Sequence, residues 1–125
     1  KNLIGQYSVI SNHSQLNTKL NPVDVAKRSE EAGAGEILLS SIDREGTGEG
    51  YDLELIKSVS ESISIPVIAS GGASSLEHFR QAVEKGASSV AAGNMFVFHG
   101  KRKAVVITYP SYAELEKTFK NIKRE

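Results

Sequence analysis

The chain has 125 residues, 39% of them hydrophobic, which is enough for one domain with one core. Its fifteen basic and fifteen acidic residues cancel, so composition supports no nucleic-acid partner, and no apolar run approaches the ~20 residues of a membrane span. With no cysteine, disulfides and thiolate metal sites are excluded, and we expect a cytoplasmic protein that binds no membrane.

The N-terminal segment differs from the rest of the chain. Residues 6–11 alternate weakly between polar and apolar side chains, residues 12–14 are turn-forming, and residues 15–20 can return as a second strand. This pattern predicts a β-hairpin over residues 1–20. Residues 21–125 are predicted to form βα units, and the two parts together make a single partial domain.

Helix start signals then recur along the chain. Asn21 as a cap and Pro22 at the first helical position begin the first helix, and a glycine-rich segment ends it. Asp52 caps the second helix. Ser74, with Glu77 three residues later, has the spacing of a capping box and is predicted to begin the third helix.

Short apolar runs separate these helices. Residues 37–39 are continuously apolar, which is typical of a strand buried on both faces of a parallel sheet. Residues 66–69 are predicted to form a second buried strand, and residues 88–92 a third strand. Residues 100–107 are first basic and then apolar, so the sequence leaves their secondary structure ambiguous. Ser111 opens a last predicted helix through a second capping box.

The alternation of strand and helix, three times over, requires parallel strands with right-handed crossovers. Two architectures satisfy this requirement: a doubly wound sheet, or part of a (β/α)₈ barrel. Because a complete barrel needs roughly 200 residues or more, this chain can supply only about half of one.

In both architectures function is located in the loops that follow the strands. Ser70-Gly71-Gly72 lies between a strand and a helix, and Gly93-Asn94 follows the next strand. Glycines let backbone amides approach an anion, and the helix N-terminus behind them adds positive partial charge. The pair on consecutive units predicts a phosphate site, the alternative being that the glycines only turn the chain.

The other polar residues give weaker indications. Asp43, after the first buried strand, could act as a general base, although composition favours a solvated loop with an Asp43–Arg44 pair. Glu36 precedes that strand and is predicted to be a charge on the opposite rim. The histidines have no metal-ligand spacing, so we predict no metal site; they are His13, His78 and His99.

Several stretches form a recognisable set: GAGEILL at 33–39, SIDR at 41–44, GT at 46–47, GYD at 50–52 and IASGGA at 68–73. Together they resemble the cyclase subunit of imidazole glycerol phosphate synthase, in a match that covers roughly residues 20–100. The resemblance implies the C-terminal half of a (β/α)₈ TIM-type barrel, with this chain supplying the sixth to eighth strands. The N-terminal hairpin would be the long loop after the fifth strand.

The resemblance also implies an activity. The family is a lyase of histidine biosynthesis that uses ammonia to cyclise a phosphorylated small-molecule substrate at the carboxyl ends of the strands, without a cofactor. A separate glutaminase subunit, docked on the other rim, supplies the ammonia within an amidotransferase complex.

Individual residues take roles from the same resemblance. Four of them match the phosphate site of the family: Gly71, Gly72, Gly93 and Asn94. Ser40 and Ser70 match positions that line the substrate pocket, and Glu36 matches a charged residue at the gate through which ammonia enters. Glu45 stands where the family usually has Asp, and it is the one catalytic candidate in this chain.

The two main catalytic aspartates of the family lie on its first and fifth strands, which this chain does not contain. The chain also begins at Lys1 and not at a methionine, so we expect a fragment that is inactive alone. Because its sheet would have open edges, we expect it to associate with an N-terminal half barrel or with itself.

Two alternatives remain open. Residues 96–111 are more similar to a paralogous branch that is linked to acetamidino groups on bacterial surface sugars. The chain could also be a non-catalytic module that binds a phosphate ligand or serves only in assembly.

Overall fold

A computed structural model describes residues 6–11, 16–99, 104–120 and 122. The turn predicted at residues 12–14 lies outside the described residues. The strands are β1 (Ile10–Ser11), β2 (Leu16–Asn17), β3 (Ile37–Ser40), β4 (Val67–Ser70), β5 (Ser89–Ala91), β6 (Phe98–His99) and β7 (Ala104–Val105). The helices are α1 (Pro22–Glu31), α2 (Leu53–Ser60), α3 (Leu76–Glu84), α4 (Asn94–Val97) and α5 (Tyr112–Phe119).

The N-terminal segment forms the predicted antiparallel pair, with β1 against β2. The Val9 amide donates to the Leu20 carbonyl at 2.9 Å, and the Thr18 amide donates to the Val9 carbonyl at 3.0 Å, so the pairing extends beyond the two short strands. The Tyr7 hydroxyl donates to the Asp52 carboxylate at 2.6 Å. This contact ties the hairpin to the residue that caps α2.

The centre of the fold is a parallel sheet of three strands in the order β3-β4-β5. The strand order follows the chain order, without the reversal that a doubly wound sheet has at its ligand site. Helices α1, α2 and α3 alternate with these strands. Consecutive units of this kind make up a (β/α)₈ barrel, so the predicted fold class is confirmed.

The core lies between the sheet and the helices, in two clusters. One joins α1, α2 and β4 through Val59 and Val67, which are fully buried. The other lies around Phe79 of α3, with Tyr51 on one side and partly buried side chains of α5 on another. The aromatic rings of Phe79 and Phe96 meet edge to face, with their centroids 6.2 Å apart. Leu115 and Phe119 place α5 against this second cluster, beside α3.

The prediction that the strand at residues 37–39 is buried on both faces is wrong. Ile37 and Leu39 pack into the core, but Leu38 points to the other face and is 64% exposed. Side chains alternate between the faces of a strand, so a strand with a bare face leaves every second residue open. Among the described residues nothing pairs with the outer edge of β3.

The helix starts were predicted correctly in three of four cases. Asn21, Asp52 and Ser111 each accept a hydrogen bond from an amide of the first turn, and Ser111 with Glu114 forms the full capping box. The third helix was predicted one residue too early. Its cap is Ser75, whose hydroxyl accepts from the His78 amide. The Ser74 hydroxyl instead donates to the Gly48 carbonyl, outside the helix.

Candidate functional site

The sheet register brings the strand ends to one level. Ser40 of β3 pairs with Ser70 of β4, and Ser70 pairs with Ala91 of β5. The loops that follow these residues therefore leave the sheet side by side, on the edge where barrel enzymes carry their sites.

A cavity of about 310 Å³ lies at this edge. It is lined by Glu45, Gly46, Gly48, Ser70, Gly71, Gly72, Ala73, Ala91, Ala92, Gly93 and Asn94. The two glycine-containing turns that the sequence singled out thus meet at one cavity, together with Glu45. Small side chains dominate the lining, so backbone groups make up much of the wall.

Gly71 and Gly72 are required by close backbone contacts. Both have positive φ, at 98° and 96°. A Cβ on Gly71 would lie 2.7 Å from the Ser41 carbonyl oxygen, and one on Gly72 would overlap the Gly50 carbonyl oxygen. The chain turns tightly at this pair, and the same turn places the backbone of both residues at the cavity.

Gly93 is different. Its φ is −110°, and a Cβ built there would meet nothing within 4 Å. Neither backbone conformation nor crowding requires glycine at this position. Asn94, the next residue, begins α4. Its side chain lies close to Gly46 of the loop after β3, because a Cβ built on Gly46 would be 3.6 Å from the Asn94 side-chain nitrogen.

The loop between β3 and α2 folds over the Gly71-Gly72 turn. The Ser41 amide donates to the Ser70 carbonyl at 3.1 Å, and the Gly50 amide donates to the Gly72 carbonyl at 2.8 Å. Within the loop, the Arg44 guanidinium forms an ion pair with Glu49 at 3.3 Å. That pair is solvent-exposed and contributes less than about 1 kcal/mol, so the backbone hydrogen bonds hold the loop.

Tyr51 and His78 support the same loop and were not predicted as site residues. The Tyr51 hydroxyl donates at 2.9 Å to the carbonyl of Ala91, a residue that lines the cavity, and burial raises the Tyr51 pKa above its ordinary value of 10.0. The His78 Nδ1 accepts from the Ser74 amide at 3.2 Å. The motif GYD at 50–52 was the one sequence feature that pointed to Tyr51. No sequence feature pointed to His78, the third residue of α3.

The charge at the cavity is negative. Glu45 is exposed, and it is the one ionisable side chain among the described residues that line the cavity. Its Oε2 would lie 3.4 Å from a Cβ on Gly71. Anion recognition here would depend on backbone amides and on the Asn94 side chain, with no lysine or arginine in the described wall.

The remaining two predicted site residues lie elsewhere. Ser40 is exposed beside Ser70, on the strand face away from the helices, and it lines a larger cavity of about 800 Å³ along the open side of β3. Glu36 also lines that cavity, but it precedes β3 and is therefore on the opposite rim from Ser40. Glu36 therefore lines a different cavity from the residues that are predicted to bind phosphate.

Within the described part of the chain, no group of three or more carboxylate or histidine side chains is placed to hold a metal ion. No helix within those residues is long and apolar enough to cross a membrane.

Comparison with known sequences gives consistent matches. A family model described as a histidine biosynthesis protein matches residues 2–103. The imidazole glycerol phosphate synthase subunit HisF of Pyrobaculum aerophilum is 54% identical over 92 residues, which are 74% of this chain and 36% of that protein. The HisF subunit of Streptomyces coelicolor is 47% identical over 104 residues, 83% of this chain and 41% of that protein.

A Pseudomonas aeruginosa protein, provisionally named imidazole glycerol phosphate synthase subunit hisF2, is 43% identical over 117 residues, 93% of this chain and 47% of that protein. The chain therefore spans less than half the length of each of these three relatives. Among solved structures, BexX in complex with CysO from Amycolatopsis orientalis has a TM-score of 0.52 at 31% identity, covering 60% of this chain and 31% of that one. A geranylgeranylglyceryl phosphate synthase from Thermoplasma acidophilum matches with a TM-score of 0.52 at 19% identity, covering 58% of this chain and 29% of that one. At this identity the match shows the fold alone.

Proposed function

Because the chain belongs to the histidine biosynthesis protein family, we propose that it supplies the phosphate-binding βα units of a cytoplasmic, ammonia-dependent cyclase of the imidazole glycerol phosphate synthase type. The substrate phosphate would bind to backbone amides at Gly71, Gly72 and Gly93 and to Asn94. Ser70 would line the adjacent pocket, with Ser40 one strand further along the same sheet face.

One observation carries this proposal: the turns after β4 and β5 line a single cavity of about 310 Å³. Two separate chain segments with small side chains meet there, and α3 begins a few residues beyond the first of them. Backbone amides near a helix N-terminus are a recurrent phosphate site. A cavity of this size suits a phosphate group with the first atoms of the molecule that carries it.

The rest of the active site would come from further βα units. Both edges of the sheet are unpaired among the described residues, and cavities of about 800 and 710 Å³ lie beside β3 and β5. Additional strands at those edges would complete the barrel and bring the missing general acid and base. Alone, the chain would bind phosphate without catalysis, and it would associate with itself through its open face.

A glutaminase subunit is the partner that this function implies. Glu36 lies on the rim opposite the phosphate-site residues, so ammonia entering beside it would travel along the sheet towards the strand carboxyl ends. Glu45 would take part in catalysis only in the completed barrel, where its longer side chain replaces the aspartate usual in the family.

A second function is favoured by one feature of the comparisons. The match to the Pseudomonas relative takes in 117 of the 125 residues and so must include most of the C-terminal segment, whereas the two HisF matches cover 92 and 104 residues. Residues 96–111 are the part that resembles the paralogous branch. The native substrate would then be a precursor of an acetamidino group on a surface sugar, handled by the same cyclase-type chemistry.

Complementation tests the proposal directly. The chain would be co-expressed with the N-terminal βα units of the HisF protein of Pyrobaculum aerophilum, and ammonia-dependent cyclisation would be assayed in the purified complex. We expect activity from the pair and none from either part. A complex that forms with full stoichiometry but shows no activity, on either the histidine-pathway or the amidino-sugar substrate, would count against the enzymatic function.

A further inference from the structure

Two residues at the start of α3, Ser74 just before the helix and His78 in its first turn, hold the loop that brings Gly48 to the phosphate cavity. The Ser74 hydroxyl donates to the Gly48 carbonyl at 2.6 Å, and the Ser74 amide donates to the His78 Nδ1 at 3.2 Å. The His78 ring lies against Gly50, because a Cβ on Gly50 would be 3.2 Å from the ring carbon Cδ2. Both ends of the Gly48–Gly50 segment therefore rest on this short stretch of chain.

We propose that His78 is a positioning residue that fixes the Gly48–Gly50 segment and, through it, one wall of the phosphate cavity. Gly48 lines the cavity itself, while the Gly50 amide bonds to the carbonyl of Gly72, another lining residue. This inference rests on the proposed phosphate function. His78 does not line the cavity, so its effect on a bound anion would be indirect.

The position of His78 separates this role from ordinary helix capping. It is the third residue of α3, and its own amide donates to the Ser75 hydroxyl at 3.3 Å. In a capping box the third residue is Glu or Gln, which reaches back to an amide at the helix start. Here the imidazole makes that backward contact one residue earlier, at Ser74, and adds a flat ring face on which Gly50 packs.

The hydrogen bond also fixes the state of the ring. Nδ1 can accept from the Ser74 amide only while it carries no proton, so the proton of the neutral imidazole is on Nε2. A side chain with an acceptor in place of Nδ1 preserves this contact, and one of the same shape without an acceptor loses it.

Two variants exploit that difference. H78F keeps a flat ring but leaves the Ser74 amide without its acceptor, and we expect it to weaken binding of inorganic phosphate roughly fivefold to tenfold. H78Q keeps an acceptor and should bind within about twofold of the parent chain. Equal affinity of H78F and the parent chain, measured by titration with inorganic phosphate, would overturn the proposal.

A matched control separates positioning from helix stability. S75A removes the cap of α3 but leaves Ser74, His78 and Gly48 in place, so it should lower the melting temperature without changing phosphate affinity. A loss of affinity in S75A as large as that in H78F would show that general destabilisation explains the effect, and would refute positioning by His78.

Amide hydrogen exchange provides a readout that needs no ligand. The Gly50 amide donates to the Gly72 carbonyl, and we expect its protection to fall in H78F and to return in H78Q. If the parent chain binds no phosphate, the proposed function fails while this exchange pattern still decides the role of His78. Unchanged protection of Gly50 in H78F would overturn the role.

Discussion

The backbone of Gly72 lies so close to Gly50 that a methyl group on Gly72 would overlap the Gly50 carbonyl oxygen. The two residues are also joined by a hydrogen bond of 2.8 Å from the Gly50 amide to the Gly72 carbonyl. The turn after β4 and the loop after β3 therefore form one packed unit. Any side chain on Gly72 must separate them.

Replacing Gly72 by alanine tests this contact. G72A should lower the free energy of unfolding by about 3 kcal/mol or more, because alanine is strained at a positive φ and its methyl group would also overlap the Gly50 carbonyl oxygen. The same variant should abolish phosphate binding. G33A is the matched control: Gly33 has φ of 95° but a Cβ there meets nothing within 4 Å, so the cost is about 1–2 kcal/mol. Denaturant unfolding of both variants that gave equal losses would contradict the close approach.

Tyr51 predicts a loss of stability at alkaline pH. Burial raises its pKa, so the folded chain keeps the phenolic proton at pH values where the unfolded chain has released it. The stability from Tyr51 is therefore full below its ordinary pKa of 10.0 and falls as the pH rises above it, by at most about 1.4 kcal/mol per pH unit. Denaturant unfolding at pH 8 and pH 11 measures this fall.

The control for that effect is Y51F. It loses the hydrogen bond to the Ala91 carbonyl and should be about 1 kcal/mol less stable than the parent chain at pH 8. Because phenylalanine has no proton to release, the difference between the two proteins should shrink or reverse at pH 11. A difference that stays constant across this range would contradict a buried, protonated Tyr51.

Glu45 is expected to oppose anion binding in the isolated chain. Its carboxylate lines the cavity beside Gly71, and two like charges about 4 Å apart repel by about 1 kcal/mol in water. E45Q should therefore bind inorganic phosphate roughly fivefold more tightly. E49Q removes a charge in the same loop but outside the cavity lining, so it should change the phosphate affinity by less than about twofold. If calorimetry gave equal phosphate affinities for E45Q and E49Q, this placement of Glu45 would be contradicted.

Leu38 is expected to drive self-association. It is 64% exposed on the bare face of β3, where a second copy or further βα units could cover it. L38K should reduce self-association in sedimentation velocity while changing the free energy of unfolding by less than about 0.5 kcal/mol. A32K adds the same charge at the end of α1 and should leave self-association unchanged. If A32K reduced self-association as much as L38K, the added charge would explain the effect and the bare face of β3 would not.

Much of the architecture could be predicted from the sequence because local signals determine it. Asn21, Asp52 and Ser111 cap their helices through side-chain contacts within one turn, which a short sequence window contains. The strands follow from apolar runs between those helices. The burial of Leu38 was predicted wrongly, because the run of residues 37–39 says nothing about whether neighbouring strands are present to cover both faces.

The site was predictable only in part for a similar reason. Glycines at 71, 72 and 93 are visible in the sequence, and the parallel order places them at one edge of the sheet. The support from Tyr51 and His78 depends on contacts with distant residues, Ala91 and Gly50, which no local pattern encodes. The start of α3 was misplaced by one residue because Ser74 and Ser75 are equally good caps by type, and only the Gly48 carbonyl distinguishes them.

Under the proposed function, bare backbone at two neighbouring strand ends forms one phosphate site. Titration of the ¹⁵N-labelled chain with inorganic phosphate, followed through the amides of Gly71, Gly72, Gly93 and Asn94, tests it most directly. We predict that these amides shift together along one saturable curve, while that of Gly33 stays fixed. Shifts at only one of the two turns, or none at saturating phosphate, would contradict the account.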